Sequence, residues 1–95
     1  MRLRVSAEAL ADLTELRAYG IQTYGERAAD AYIATLGRTL ERIAEWPLAS
    51  RLRTEIRPPV RLIVHEAHNI FFDVEDDVVE IVRVLHHTID WQNRL

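Results

Sequence analysis

Histidines and arginines are the side chains of this sequence that could carry out acid–base or phosphate chemistry. Cleavage of RNA without a metal needs a base for the 2′-hydroxyl, an acid for the leaving 5′-oxygen, and cations for the charge that develops on the phosphate. The residues of suitable type are Glu55, His65, His86 and His87 for proton transfer, with Arg53, Arg61 and Arg83 as cations. The sequence therefore allows a ribonuclease site that is centred on the paired histidines.

Metal binding is the second chemistry that histidines allow. His65, His68, His86 and His87 fall near strand ends, but their spacing lacks the three-ligand pattern of a zinc site. The chain contains no cysteine, which excludes thiolate ligands, disulfides and a cysteine nucleophile. We therefore expect no metal and no cofactor.

Arginines are concentrated in one segment of an acidic chain. The formal net charge is −3, yet residues 47–64 carry four arginines against one glutamate, a local charge of +3, from Arg51, Arg53, Arg57, Arg61 and Glu55. Such a segment can contact an acidic partner or phosphate, although a chain with this net charge is unsuited to coating nucleic acid. A solvated loop and a contact patch are both compatible with this charge pattern.

Arg83 and the two tryptophans are further candidates for contact with a partner. Arg83 lies among apolar residues in a predicted strand, where a charge is costly unless it is paired. Two arrangements are compatible with this charge. Arg83 can form an internal ion pair, or it can lie as a cation on an exposed face of the sheet. We expect Trp46 to lie in the core at the end of a helix and Trp91 to be an exposed anchor in the tail.

Hydrophobic spacing predicts the elements that must position these residues. The alternation over residues 2–5 indicates a strand, and Ser6 is a suitable N-cap for a helix over residues 7–24 that ends at Gly25. Apolar residues at steps of three and four then predict a second helix from about residue 29, which ends before Pro47. Residues 60–65, 69–75 and 78–86 read as three strands with two-residue links, which predicts an antiparallel meander.

These elements predict one α+β domain over residues 1–95, with both helices on one face of the sheet. The other face is left for solvent or for a partner. The helix-covered face is expected to carry Ile70, Phe72 and Val74, with Leu62, Ile81 or Val82 beside them. By the same alternation, His86 and His87 are expected on opposite faces. No apolar run is long enough for a membrane span or a signal peptide, so we expect a cytoplasmic protein with no membrane partner.

Motifs spread over nearly the whole chain resemble the ParE branch of the ParE/RelE toxin superfamily. They are Ser6-Ala7, Ala11-Asp12-Leu13, Tyr24-Gly25, Ala28, Tyr32, Leu36, Pro47 with Arg51, Arg61, the segment His68-Asn-Ile-Phe-Phe, and Arg83-Val84-Leu85-His86 with Asp90. The most specific of these motifs is Arg83-Val84-Leu85-His86, because it follows the other motifs at the expected distance along the chain. The sequence departs from the pattern at Leu48-Ala49-Ser50, where a glycine is common, and at His87 and Thr88, where small or basic residues are common.

The resemblance implies a cytoplasmic bacterial toxin of a type II toxin–antitoxin system. Such toxins form hetero-oligomers with a cognate, ParD-like antitoxin whose C-terminal segment wraps them. The resemblance implies DNA gyrase as the target, inhibited by binding rather than by catalysis. Two alternatives stay open: a ribosome-dependent mRNA endonuclease similar to RelE, and an inactive homologue that binds antitoxin. RelE-type enzymes use several lysines and a late tyrosine, whereas this chain has no lysine and no tyrosine after Tyr32.

Overall fold

The fold is a mixed five-stranded sheet with two helices on one face, and the computed structural model describes residues 1–91. The elements are β1 (Arg2–Val5), α1 (Ala7–Tyr24), α2 (Glu26–Glu45), a 3-10 turn (Pro47–Ala49), β2 (Leu52–Arg53), β3 (Val60–His65), β4 (His68–Glu75) and β5 (Val78–His86). The strand order is β1-β5-β4-β3-β2. The predicted α+β architecture is confirmed, and none of the described helices is long and apolar enough to cross a bilayer.

The sheet is mixed because β1 and β5, which are the first and last strands in the chain, lie side by side and run in the same direction. Strand β1 pairs in parallel with β5, whereas β3, β4 and β5 form the predicted antiparallel meander. The two-residue strand β2 was not predicted and pairs antiparallel with the start of β3. The sequence signal for β2 is weak because its two residues, Leu52 and Arg53, lie inside the arginine-rich segment.

The two helices form a tight hairpin on one face of the sheet. The Ser6 hydroxyl caps α1 by accepting a hydrogen bond from the backbone N–H of Ala9 at 3.0 Å. Gly25 joins the helices and has a φ of 96°, a backbone conformation that residues other than glycine rarely adopt. A Cβ atom on Gly20 would lie 3.1 Å from the Cβ of Ala29, so the helices approach closely at this point.

The main core lies between the helices and the sheet. Its fully or almost fully buried members come from α1, α2, β4 and β5: Ala9, Leu36, Leu40, Ile43, Ile70, Phe72, Val79, Ile81 and Val84. Burial of each large side chain contributes roughly 1.5–3 kcal/mol to folding. The predicted positions of Ile70 and Phe72 on this face are correct, and Val74 packs at its margin.

A bulge changes which face several strand residues occupy. Phe71 is opposite Arg83 and Phe72 is opposite Ile81, so Val82 is an extra residue in β5. Ile81 therefore lies in the helix-covered core as expected, but Val82 packs on the other face. The prediction that Leu62 lies on the helix-covered face is wrong as well, because it packs with Val82 against the second cluster.

The face of the sheet away from the helices carries a second, smaller core. It consists of Ile56, Val60, Phe71 and Leu85, with Ile89 and Trp91 from the tail packed against it. The expectation that this face is left wholly to solvent or a partner is therefore wrong. The chain's own tail and the loop before β3 cover part of it.

The expectations that Trp46 is buried and that Trp91 is exposed are both wrong. Trp46 is 66% exposed, because α2 ends at Glu45 and the buried residue at this corner is Pro47. Trp91 is partly buried, and its ring centroid lies 5.6 Å from that of Phe71. Trp46 is therefore the exposed aromatic side chain, and Trp91 closes the second core.

Candidate functional site: a groove that ends in a row of histidines

Beyond the end of β1, Ser6 and the start of α1 form the hydrogen bonds along the edge of β5. The backbone N–H of Ser6 donates to the Ile81 carbonyl at 3.0 Å, and the Ser6 hydroxyl donates to the Val82 carbonyl at 2.8 Å. In the second turn of α1, a carboxylate oxygen of Asp12 accepts a hydrogen bond from the backbone N–H of Val84 at 2.9 Å. Ser6 and Asp12 thus satisfy backbone groups of β5 that a neighbouring strand would otherwise bind.

Asp12 also forms a two-point ion pair with Arg83. The Arg83 Nε and Nη2 atoms donate to the two carboxylate oxygens of Asp12 at 2.8 and 2.9 Å. The hydrogen bond that Arg83 donates to Asp12 is the main reason why the pKa of Arg83 is raised above its ordinary value. Of the two interpretations of Arg83, the internal ion pair is the one that the structure contains, with side chains only 20% and 10% exposed.

A groove with a volume of about 950 Å³ runs between the two helices and the end of β5. Small residues, including Gly20, Ala28 and Ala29, line its helical wall. Tyr19 and Tyr24 border it and are largely exposed. An open groove with small and aromatic apolar residues is the kind of surface onto which an amphipathic segment packs.

The groove ends in a row of aromatic side chains, which we call the histidine row: His65, Tyr32, His68, His86 and His87. The centroids of consecutive rings lie 5.6, 5.5, 5.4 and 4.5 Å apart in that order. The Tyr32 hydroxyl lies 2.6 Å from Nδ1 of His68. All four histidines of the chain are in this row, so one end of the sheet carries every imidazole.

Strand register brings most of the row together. His65 is opposite His68 across a two-residue turn, and His68 is opposite His86 on β5. The expectation that His86 and His87 lie on opposite faces is wrong: their rings lie side by side because β5 ends at His86 and the alternation stops there. The hairpin register was visible in the sequence, whereas the contribution of Tyr32 from α2 was not.

The histidines of the row do not assemble a metal site in the described part of the chain. Among residues 1–91, no group of three or more His, Cys, Asp or Glu side chains is placed to hold a metal ion. His65 instead lies 2.8 Å from the Thr39 hydroxyl and 3.5 Å from Glu66.

Partial burial of His68 predicts a loss of stability in acid. Desolvation, followed by the neighbouring imidazoles, lowers the pKa of His68 to about 4. The unfolded chain therefore binds this proton at a higher pH than the folded chain does, and the contribution of His68 is lost as pH falls from about 6.5 to 4. After allowance for solvent screening of this half-buried group, we expect a loss of about 2 kcal/mol.

Urea unfolding at pH 7.5, 5.5 and 4.5 would measure this loss. We expect the stability of His68→Gln to fall less steeply with pH than that of the unsubstituted chain. Identical pH profiles for the two proteins would contradict the assignment.

The arginine-rich segment lies at the other end of β3 from the histidine row. Arg61 and His65 are four residues apart in an extended strand, a separation of about 13 Å. Arg51 and Arg53 share the carboxylate of Glu55, at 3.5 and 3.7 Å, and Arg61 donates to the backbone carbonyl of Ser50. The nuclease candidates Glu55 and Arg61 are therefore not brought together with His86 and His87.

The remaining predicted contact residues differ in exposure. Arg57 is exposed in the loop before β3, whereas Trp91 packs against Phe71 in the second core. The groove between the helices and β5 was not predicted from the sequence. Alanines and glycines within a helix carry no charge or periodicity that marks a binding surface, although Ala28 appeared among the family motifs.

Comparisons with known proteins agree on one family. The model of the family described as the ParE toxin of the type II toxin-antitoxin system, parDE, matches residues 3–91. Toxin ParE1 of Caulobacter vibrioides is 34% identical over 87 residues, which cover 92% of this chain and 90% of that protein. A solved chain from the chromosomal ParDE TA system of P. aeruginosa has a TM-score of 0.80 at 19% identity, covering 90% of this chain and 95% of that one. Because the family model spans nearly the full length, this chain belongs to the ParE toxin family of type II toxin–antitoxin systems.

Proposed function

We propose that this protein arrests growth by binding DNA gyrase and that a cognate, ParD-like antitoxin neutralises it. The observation that carries the proposal is the match to the ParE family over residues 3–91. ParE-type toxins are associated with gyrase rather than with mRNA cleavage. Action by binding requires no catalytic group, which agrees with the placement of the candidate residues.

The contacts of those residues support binding over nuclease action. Metal-free cleavage of RNA needs cations beside the acid and the base. Arg83 is held by both oxygens of Asp12, and Arg61 is bound to Ser50 at the far end of β3.

The groove is the surface that we assign to the antitoxin. It is open and bordered by exposed tyrosines, and the small residues of its helical wall let a backbone approach closely. An amphipathic segment that covered it would bury the apolar surface that α1 exposes at Tyr19 and Tyr24. The toxin and antitoxin would then form a hetero-oligomer in the cytoplasm.

A DNA supercoiling assay with purified gyrase tests the proposed target. We expect toxin freed from its antitoxin to inhibit supercoiling, to cause cleaved DNA to accumulate, and to lose both effects when antitoxin is added. No effect at a large excess of folded toxin would reject gyrase. The next test would then be ribosome-dependent mRNA cleavage, with His86 and His87 as the residues to replace.

The arginine-rich segment is expected to add charge to the antitoxin interface. Arginine pairs well with carboxylates, and both Arg51 and Arg53 lie close to only one of them, Glu55, within their own loop. Replacing both by glutamate should weaken antitoxin binding about tenfold at low salt, with less effect at high salt because exposed charges are screened.

Isothermal titration calorimetry at two salt concentrations would measure this change. A matched control is Arg38→Glu with Arg42→Glu on α2, which makes the same charge change outside the segment. Unchanged affinity of the Arg51/Arg53 variant at low salt would remove the segment from the interface.

A further inference from the structure

Exposed apolar side chains are concentrated where α2 ends and the 3-10 turn leads to β2. Three of the nine large apolar side chains that are exposed in residues 1–91 lie within this short stretch: Trp46 and Leu48, each 66% exposed, and Leu52, 40% exposed. We call these three residues, together with the exposed Arg51 and Arg57, the Trp46 corner. On a soluble protein, large apolar side chains that gather at the surface mark a site of contact with a partner.

Buried anchors hold the Trp46 corner in place. Pro47, next to Trp46, is buried, and Ile56 lies in the second core. The backbone N–H of Ala49 donates to the Trp46 carbonyl at 3.2 Å, and β2 is paired with β3. A surface whose backbone is already fixed loses little conformational entropy when it binds a partner.

The Trp46 corner lies far from the groove that we assign to the antitoxin. Ala28 lines the groove near the start of α2, whereas Trp46 follows the last residue of that helix, so the helical rise separates the two by about 27 Å. Across the sheet, β4 and β3 lie between β5, which lines the groove, and β2. A segment confined to the groove therefore does not reach Trp46.

The charge of the corner indicates what kind of partner it accepts. Residues 47–64 carry a local charge of +3 in a chain of net charge −3. Arg51 and Arg53 share Glu55, whereas Arg57 forms no ion pair with any of residues 1–91. A second copy of this chain would bring the same positive charge against the corner, and like charges oppose such a contact.

Apolar content separates a protein partner from nucleic acid. The outer surface of nucleic acid is phosphate, which offers nothing apolar to cover Trp46, Leu48 and Leu52. An acidic protein surface can pair with the arginines and also bury the apolar side chains. Tryptophan and arginine are the residue types that most often dominate the binding energy of protein interfaces.

We propose that the Trp46 corner is the surface with which this toxin binds its target, and that the target presents an acidic protein surface there. The inference rests on the proposed function, under which the target is DNA gyrase. An antitoxin that extends from the groove to Arg51 and Arg53 covers the edge of the same corner. Neutralisation then follows because the target and the antitoxin compete for this part of the toxin.

Inhibition of purified gyrase tests the proposal, with Trp46→Ala and Leu48→Ala combined in one variant. Both side chains are 66% exposed, so the variant should fold with nearly unchanged stability. We expect the toxin concentration that half-inhibits supercoiling to rise at least about thirtyfold. Antitoxin affinity, measured by calorimetry, should change by less than about threefold because the groove provides the apolar contacts of the antitoxin.

Leu10→Ala with Val64→Ala is the matched control. These side chains are 59% and 66% exposed, and neither lies in the groove or in the Trp46 corner. The control variant should inhibit gyrase within about twofold of the unsubstituted toxin. An equal loss of inhibition in both variants would contradict a specific role for the corner.

Binding of the toxin to duplex DNA alone, measured by fluorescence anisotropy at physiological salt, separates the two classes of partner. We expect no binding. Binding to DNA that the Trp46/Leu48 variant loses would assign the corner to nucleic acid and overturn the inference. Full inhibition of gyrase by that variant, or loss of its antitoxin binding alone, would overturn the inference and leave the gyrase role intact. Absence of inhibition by the unsubstituted toxin would overturn both.

Discussion

Replacing Asp12 by alanine is expected to lower the free energy of unfolding by about 3 kcal/mol. The substitution removes both hydrogen bonds to Arg83 and the acceptor of the Val84 backbone N–H. It takes the bidentate carboxylate away from a guanidinium that is only 20% exposed, and loss of a charged hydrogen-bond partner in such a place is costly. It also releases α1 from the edge of β5.

Chemical denaturation of the purified toxin would measure this change. The matched control is Asp30→Ala, which removes the carboxylate from an ion pair with Arg17 whose side chains are about half exposed. Surface pairs of this kind contribute about 0.5 kcal/mol. If the two variants lose the same stability, the Asp12–Arg83 pair does not hold α1 on the sheet.

Replacing Ala28 by arginine is expected to weaken antitoxin binding by about a hundredfold, or roughly 2.7 kcal/mol. Ala28 lines the groove and its side chain is exposed, so a long cationic side chain would occupy the space that we assign to the antitoxin. Arginine is a good helix former, and the unfolding free energy should change by less than about 0.5 kcal/mol.

Ala34→Arg is the matched control for this experiment. Ala34 is exposed on the same helix but does not line the groove. Calorimetric titration of both variants with antitoxin should show a large loss for the first and little change for the second. Equal affinities would place the antitoxin elsewhere on the toxin.

Local patterns predicted the elements well because each pattern reports on a nearby physical constraint. Helix α1 has the predicted bounds, Ala7–Tyr24, since Ser6 and Gly25 act within a single turn of its ends. The meander followed from alternation and two-residue links, which limit the possible pairings. Alternation failed where one residue was added, at Val82, and it also failed at His87, where the strand ends.

The candidate site was predictable only in part. The hairpin link of Glu66 and Ala67 places His65 opposite His68, and this follows from the sequence alone. The contact between Tyr32 and His68 spans 36 residues, and the ion pair between Asp12 and Arg83 spans 71. Such contacts depend on how a helix sits on the sheet, which hydrophobic periodicity does not specify.

The sequence by itself determined the elements, their order, the α+β class and the resemblance to the ParE family, because these depend on local spacing and on motifs along the chain. Only the tertiary structure decided that Arg83 is paired, that Trp91 is partly buried while Trp46 is exposed, and that the four histidines share one end of the sheet. The reason is that packing and strand register act between residues far apart in the chain. A shift of one residue in β5 is enough to move side chains from one face of the sheet to the other.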